Sequence, residues 1–205
     1  MRETFLYVFG LMILTLGIAL TILSKLGTSP FDALLVGLYR TIGLTIGSWE
    51  IIVGLAMVLL NAAAQKRMPE FLALLTSLVT GMGIDGWMFL LNDWVAPGIF
   101  ISQTICLALG LILMGLGIAI YLQADYAPNP FDRTMLVVSD LTGFNIMYSR
   151  AIISVVLLFL AFVFDGSIGI GTLLNAFLSG VIINFFMSVI EKMKRDRRPV
   201  TKELS

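Results

Sequence analysis

Apolar positions along the chain fall into eight blocks, at about 4–24, 31–43, 47–65, 69–91, 98–124, 131–143, 146–164 and 170–191. Six are long enough to cross roughly 30 Å of hydrocarbon as helices. The blocks 31–43 and 131–143 are not: thirteen residues each reach only about 20 Å at 1.5 Å per residue. Pro30 and Gly43 bound the first short block, and Pro130 and Gly143 the second, as helix starts and stops should be. No soluble domain or linker interrupts the pattern, and the only stretch of low apolarity is the tail after Ile190. The first block is too long for a signal-peptide core. Ser24-Lys25-Leu26-Gly27 follows it, with no small-x-small cleavage site, so it reads as a retained first helix.

The two short blocks lie a hundred residues apart, which prompts a search for a repeat. A shift of 100 pairs Gly10, Leu11, Leu16, Gly17, Ile18, Ala19, Pro30, Phe31 and Asp32 with Gly110, Leu111, Leu116, Gly117, Ile118, Ala119, Pro130, Phe131 and Asp132. That is nine identities in twenty-three positions, and Gly43 matches Gly143 further on. A shift of 99 then pairs Leu74, Leu75, Gly81, Ile84 and Met88 with Leu173, Leu174, Gly180, Ile183 and Met187. Apolar composition alone would match some Leu and Ile, but not Gly, Pro and Asp in order. The chain is therefore divided into repeat 1 (1–95), repeat 2 (96–191) and a basic tail (192–205).

Two copies of Gly-Ile-Ala, each followed by a turn and Pro-Phe-Asp, resemble the YczE/YyaS/YitT group of bacterial membrane proteins, most closely the YczE branch. The resemblance covers nearly all of the chain except the tail. It implies a multi-spanning protein of the cytoplasmic membrane and supplies no substrate.

Each repeat holds three full spans and one short block, so parity decides the topology. Short blocks that cross make eight short tilted spans and parallel halves; short blocks that re-enter or lie in the interface leave six crossings and inverted halves. Lys and Arg concentrate in cytoplasmic loops. Six of the thirteen lie in the tail, at Lys192, Lys194, Arg195, Arg197, Arg198 and Lys202. Counting back from a cytoplasmic tail with six crossings places Arg2, Lys66, Arg67, Arg133 and Arg150 inside, and only Lys25 and Arg40 outside. Eight crossings would put Lys66 and Arg67 outside. The expectation is an all-α polytopic protein of two inverted repeats, three spans and one short helix in each, with both termini cytoplasmic.

Composition narrows the chemistry. Hydrophobic residues make up 59% of the 205, charged residues 13%, and net charge is zero. A soluble domain needs about a quarter of its residues charged, and a nucleic-acid binder needs a basic surface. With no His and one Cys, Cys106, neither a metal site nor a cofactor is expected, and Cys106 reads as a small packing residue. An enzyme is disfavoured, because no Ser or Cys has an evident base partner.

Ser29-Pro30-Phe31-Asp32 and Asn129-Pro130-Phe131-Asp132 are the sharpest local features. Ser or Asn suits an N-cap, Pro the first helical position, and an acid the positive helix end. Each Asp is either a cap or, where two helix starts converge near the midplane, part of a substrate site. Asp85, between Gly83 and Gly86 inside a span, is a weaker candidate, with Asn184 as its repeat partner. Asn61 and Asn175 suit helix–helix hydrogen bonding; Gln123, Asp125 and Tyr126 read as loop polar groups. Arg40 becomes Asp140 in the second repeat and Glu50 becomes Arg150, a double sign reversal that predicts local ion pairs, Arg40–Glu50 and Asp140–Arg150. Gly10, Gly17, Gly110, Gly115 and Gly117 predict close packing of the first helices of the two halves. The function expected is a small permease or channel-like transporter of a small molecule or ion, with its path or site at the repeat interface. The alternative is a non-transporting membrane scaffold. The lipid bilayer is the one partner expected throughout, with no nucleic acid, and assembly into oligomers stays open.

Overall fold

The computed structural model describes residues 2–124 and 129–196, and these form eight helices and no strand. They are α1 Arg2–Leu23, α2 Pro30–Ile42, α3 Ile46–Gln65, α4 Leu72–Leu91, α5 Phe100–Tyr121, α6 Pro130–Thr142, α7 Ile146–Val163 and α8 Ile170–Asp196. Asp125, Tyr126 and the tail beyond Asp196 lie outside the described residues. Six helices, all except α2 and α6, are long and apolar enough to cross a membrane. The punctuation acts as the sequence suggests. Ser29 and Asn129 cap α2 and α6 with Pro at the first position, and Gly43 and Gly143 end them at φ 95° and 73°. Thr45 and Asn145 then cap α3 and α7, so only two residues separate each short helix from its successor's cap.

The centre of the bundle is the crossing of α1 and α5. Gly10 faces Gly117 and Tyr121, while Gly17 faces Gly110 and Met114, so the two helices run antiparallel. A Cβ on Gly17 would lie 2.5 Å from Met114 N and 2.7 Å from Gly110 O, and one on Gly117 would meet the Leu14 backbone. Only glycine lets two backbones approach this closely, which is how helices gain van der Waals contact where lipid removes the hydrophobic drive.

The other helices wrap this crossing in matching pairs. α4 runs parallel to α1, with Tyr7 Oη 2.6 Å from Thr76 Oγ1 and Gly83 against Thr15. α8 runs parallel to α5, with Gly115 against Ile182 and Gln123 Nε2 3.3 Å from Met187 Sδ. α2 lies along α7 and α6 along α3. The match is incomplete: α3 also packs closely along α4, antiparallel, while α7 and α8 have no comparable seam.

The short helices run from the interior to the surface. Pro30–Leu38 is buried and Tyr39–Ile42 is exposed. The α1–α2 connection turns inward against the α7–α8 connection: Gly171 N donates to Leu26 O (2.7 Å) and Thr28 N to Ser167 O (3.2 Å). Gly27 makes this approach with φ 103°, its α-carbon so close to Gly169 that a side chain would strike the Gly169 backbone. At the start of α6, Arg133 pairs with Glu70 of the α3–α4 connection.

Candidate functional site

The starts of α2 and α6 meet inside the bundle. The rings of Phe31 and Phe131 lie 5.9 Å apart, centroid to centroid, at 40°. Pro130 rests against Gly54, near the middle of α3, so this junction sits deep along a spanning helix.

Asp32 is 3% exposed. Its Oδ2 accepts from Ser29 Oγ at 2.5 Å and from Thr28 Oγ1 at 3.5 Å, and Ser29 Oγ accepts from Asp32 N at 3.2 Å. Cap and acid thus hold each other, a relative of the capping box. Thr28 is tied in turn to Thr21 of α1 (2.9 Å). Asp132 is half-buried. Tyr121 of α5 donates to its Oδ2 at 3.4 Å, and Asn129 Oδ1 accepts from Phe131 N at 3.1 Å. Arg150 of α7 sets its guanidinium 6.0 Å from the Phe131 ring centroid, within Coulombic reach of Asp132 and Tyr121. The corresponding residue of α3, Glu50, is 1% exposed and lies within Coulombic reach of Asp32.

That placement corrects the expected ion pairs. Neither Arg40–Glu50 nor Asp140–Arg150 forms; the ion pair among the described residues is Arg133–Glu70. Arg40 leaves from the exposed last turn of α2 and donates to Asp165 O at 3.0 Å. Glu50 lies a full turn inside α3 and faces the bundle, so the two side chains diverge. The sign reversal instead places an acid beside one Pro-Phe-Asp turn and a guanidinium beside the other.

Asp85 and Asn184 are not brought to the junction. Asp85 accepts from Thr45 Oγ1 (2.6 Å) and Gly47 N (2.8 Å); it satisfies free donors at the start of α3 and ties that end to α4. Asn184 is exposed on α8. Asn61 donates to Thr134 Oγ1 at 2.9 Å, joining α3 to α6 one turn beyond the second triplet. Cys106 is buried and donates to Leu20 O. The sequence reading overlooked Tyr121, Thr21 and Thr28. A signal was available: the shift of 100 pairs Thr21 with Tyr121, two hydroxyls at one position of otherwise apolar helices, each linked to the Asp of its own half.

Six apolar helices of spanning length define a polytopic α-helical membrane protein. The chain belongs to DUF6198, a family of unknown function, whose model matches residues 1–188. It is 45% identical over 194 residues to the uncharacterized protein YyaS of Bacillus subtilis, covering 94% of this chain and 96% of that one. It is 37% identical over 186 residues to the uncharacterized membrane protein YczE of the same organism, covering 90% and 85%. The identity to YyaS thus exceeds that to YczE, the branch the short motifs suggest. A protein of Haemophilus influenzae matches at 27% over 187 residues, covering 90% and 83%. No solved structure matches the chain.

Proposed function

We propose that this protein is a small permease or channel-like transporter of the cytoplasmic membrane, with its site where the two Pro-Phe-Asp helix starts meet. The observation that carries the reading is the contact of Phe31 with Phe131, since it brings two helix N-termini and their acids to one depth. Interrupted helices of this kind bind substrates in inverted-repeat transporters. Two inverted repeats are supported by the antiparallel α1–α5 crossing and by the paired packing of α2 on α7 and α6 on α3. Short helices that start inside and end at the surface support re-entry over crossing. Both termini are then cytoplasmic, on the side of Lys66 and Arg67. A carboxylate flanked by Tyr121 and Arg150 in one half, and by Ser29 and Thr28 in the other, suits a small polar solute or ion.

The scaffold reading has one observation in its favour: the junction is filled by the two phenylalanine rings. A thermal-shift screen of the purified protein against small metabolites and ions separates the two. A transported ligand stabilises the fold by RT ln(1 + [L]/Kd), about 2.7 kcal/mol at a hundredfold excess over Kd, and Tm rises accordingly. Asp32→Asn and Asp132→Asn keep the caps and remove the charge, so each loses the ligand shift while keeping its own Tm. A full response in both variants removes the site from the junction. An empty screen, with no uptake by proteoliposomes, leaves the scaffold.

A further inference from the structure

The spanning helices α3 and α4 are joined by the connection 66–71, so this turn lies where hydrocarbon gives way to headgroups. A cleft opens beside it. Its wall on α3 is Val58, Asn61, Ala62 and Gln65, which a spacing of three and four residues puts on one face. Arg133 of α6 and Glu70 of the connection also line it, joined as an ion pair and 26% and 52% exposed. The fold does not require this cleft. In the other half Ala33 stands at the position of Arg133, and its carbonyl packs so closely on Gly166 of the α7–α8 connection that a side chain at Gly166 would strike it.

Shape decides what kind of ligand fits. With its open mouth the cleft measures about 280 Å³, but the room for water within it is about 20 Å³, little more than one molecule. A free solute gains affinity by being largely engulfed, which this cleft cannot do. A phospholipid needs no engulfing, because the bilayer already holds its chains and only the headgroup has to be recognised. Apolar side chains lie beside the cleft for those chains to follow: Met68 lines it, and Met68, Phe71 and Leu72 are all exposed. Charge decides which headgroup. Lys66 and Arg67 on the same connection attract any phosphate, so the choice falls to the lining pair. An exposed ion pair is weakly held, and its two ends suit a headgroup that brings a phosphate to Arg133 and an ammonium to Glu70. A purely anionic headgroup sets its charge against Glu70, and a trimethylammonium has no N–H to donate to that carboxylate.

We propose that this cleft binds the headgroup of a zwitterionic phospholipid with a primary ammonium, its phosphate on Arg133 and its ammonium on Glu70. The site goes beyond the permease reading and does not need it, because a scaffold would hold its lipid by the same groups.

The test uses the delipidated full chain in detergent at fixed pH and ionic strength. Phosphatidylethanolamine, phosphatidylcholine and phosphatidylglycerol with the same acyl chains are titrated while Tm is read, and free phosphoethanolamine is titrated alongside. The expected result is a saturable rise with phosphatidylethanolamine, at roughly ten-fold lower concentration than with the other two lipids, and no rise with free phosphoethanolamine. Glu70→Gln removes the preference, and Arg133→Gln weakens the response to phosphatidylethanolamine roughly ten-fold, as loss of a hydrogen bond to a charged group implies. Both variants fold, because an exposed pair contributes little to stability. If the pair is only a strut, the variants lose Tm equally in every lipid and keep the wild-type preference; that outcome would overturn the site, as would identical curves for the three lipids. A response strongest to phosphatidylglycerol would overturn it in favour of the basic residues Lys66 and Arg67. An equal rise with free phosphoethanolamine would overturn the lipid as occupant. None of these titrations touches the junction of α2 and α6, so failure here leaves the permease reading standing.

Discussion

Single residues separate capping from binding in this protein. Asp85 is a carboxylate inside a spanning helix, the kind of residue that suggests function by default, yet both its recorded partners belong to the start of α3. Replacing it with Ala removes a cap, so Asp85→Ala should cost about 0.5–2 kcal/mol, and Asp85→Asn much less. Chemical unfolding in detergent measures both; equal losses would show that the charge and not the acceptor matters. The two triplets were legible in the sequence because Ser or Asn, Pro and Asp have fixed positional meanings at a helix start. The partners of Glu50 and Arg150 were not. Their sign reversal was visible, but whether a residue five places past a cap faces its neighbour or the bundle interior depends on which helix packs behind it. Here α4 and the start of α2 stand behind Glu50, and no local pattern reports that.

At the scale of helices, the ends were easier to read than the contacts. Pro30, Gly43, Pro130 and Gly143 set α2 and α6 to within one residue of the apolar blocks. The start of α4 was missed by three, because Pro69 and Glu70 belong to a turn that carries apolar residues. The glycines of α1 and α5 announced a close crossing, but their spacing could not say which way the second helix runs. That is fixed by facing pairs such as Gly10–Gly117 and Gly17–Gly110. Because those pairs approach through backbone, Gly17→Leu should overpack the crossing at a cost of about 1–3 kcal/mol. Gly86→Ala is the control: a methyl group there meets nothing within 4 Å, and the gain in helix propensity should stabilise by up to about 1 kcal/mol. Thermal unfolding followed by size-exclusion fluorescence distinguishes them, and a Gly17→Leu protein as stable as wild type would contradict the crossing.

For the whole molecule, six crossings imply that positions 66 and 94 lie on opposite sides of the membrane. In a Cys106→Ser background, Lys66→Cys should be labelled from the cytoplasmic side and Trp94→Cys from outside; external labelling at position 66 would sink the inverted arrangement. A shift of 100 residues carries α2 onto α6 and α3 onto α7, and α2 packs on α7 as α6 packs on α3. The shifts gave no sign of the unmatched α3–α4 seam, because that depends on contacts such as Gly47–Gly81, Gly54–Ser77 and Gly47–Asp85, whose counterparts Met147–Gly180, Ser154–Ala176 and Met147–Asn184 differ. The same inequality extends to how the bundle is fastened. On one side, the α1–α2 and α7–α8 connections are joined main chain to main chain, through Leu26–Gly171 and Thr28–Ser167. On the other, α6 and the α3–α4 connection are joined by the exposed pair Arg133–Glu70. Dissolved salt screens an exposed pair, which contributes only about 0–1 kcal/mol to begin with, and scarcely touches amide hydrogen bonds. Rising ionic strength therefore loosens the Arg133–Glu70 end more than the other, and the resting balance between the two ends is set in part by the salt that bathes the molecule.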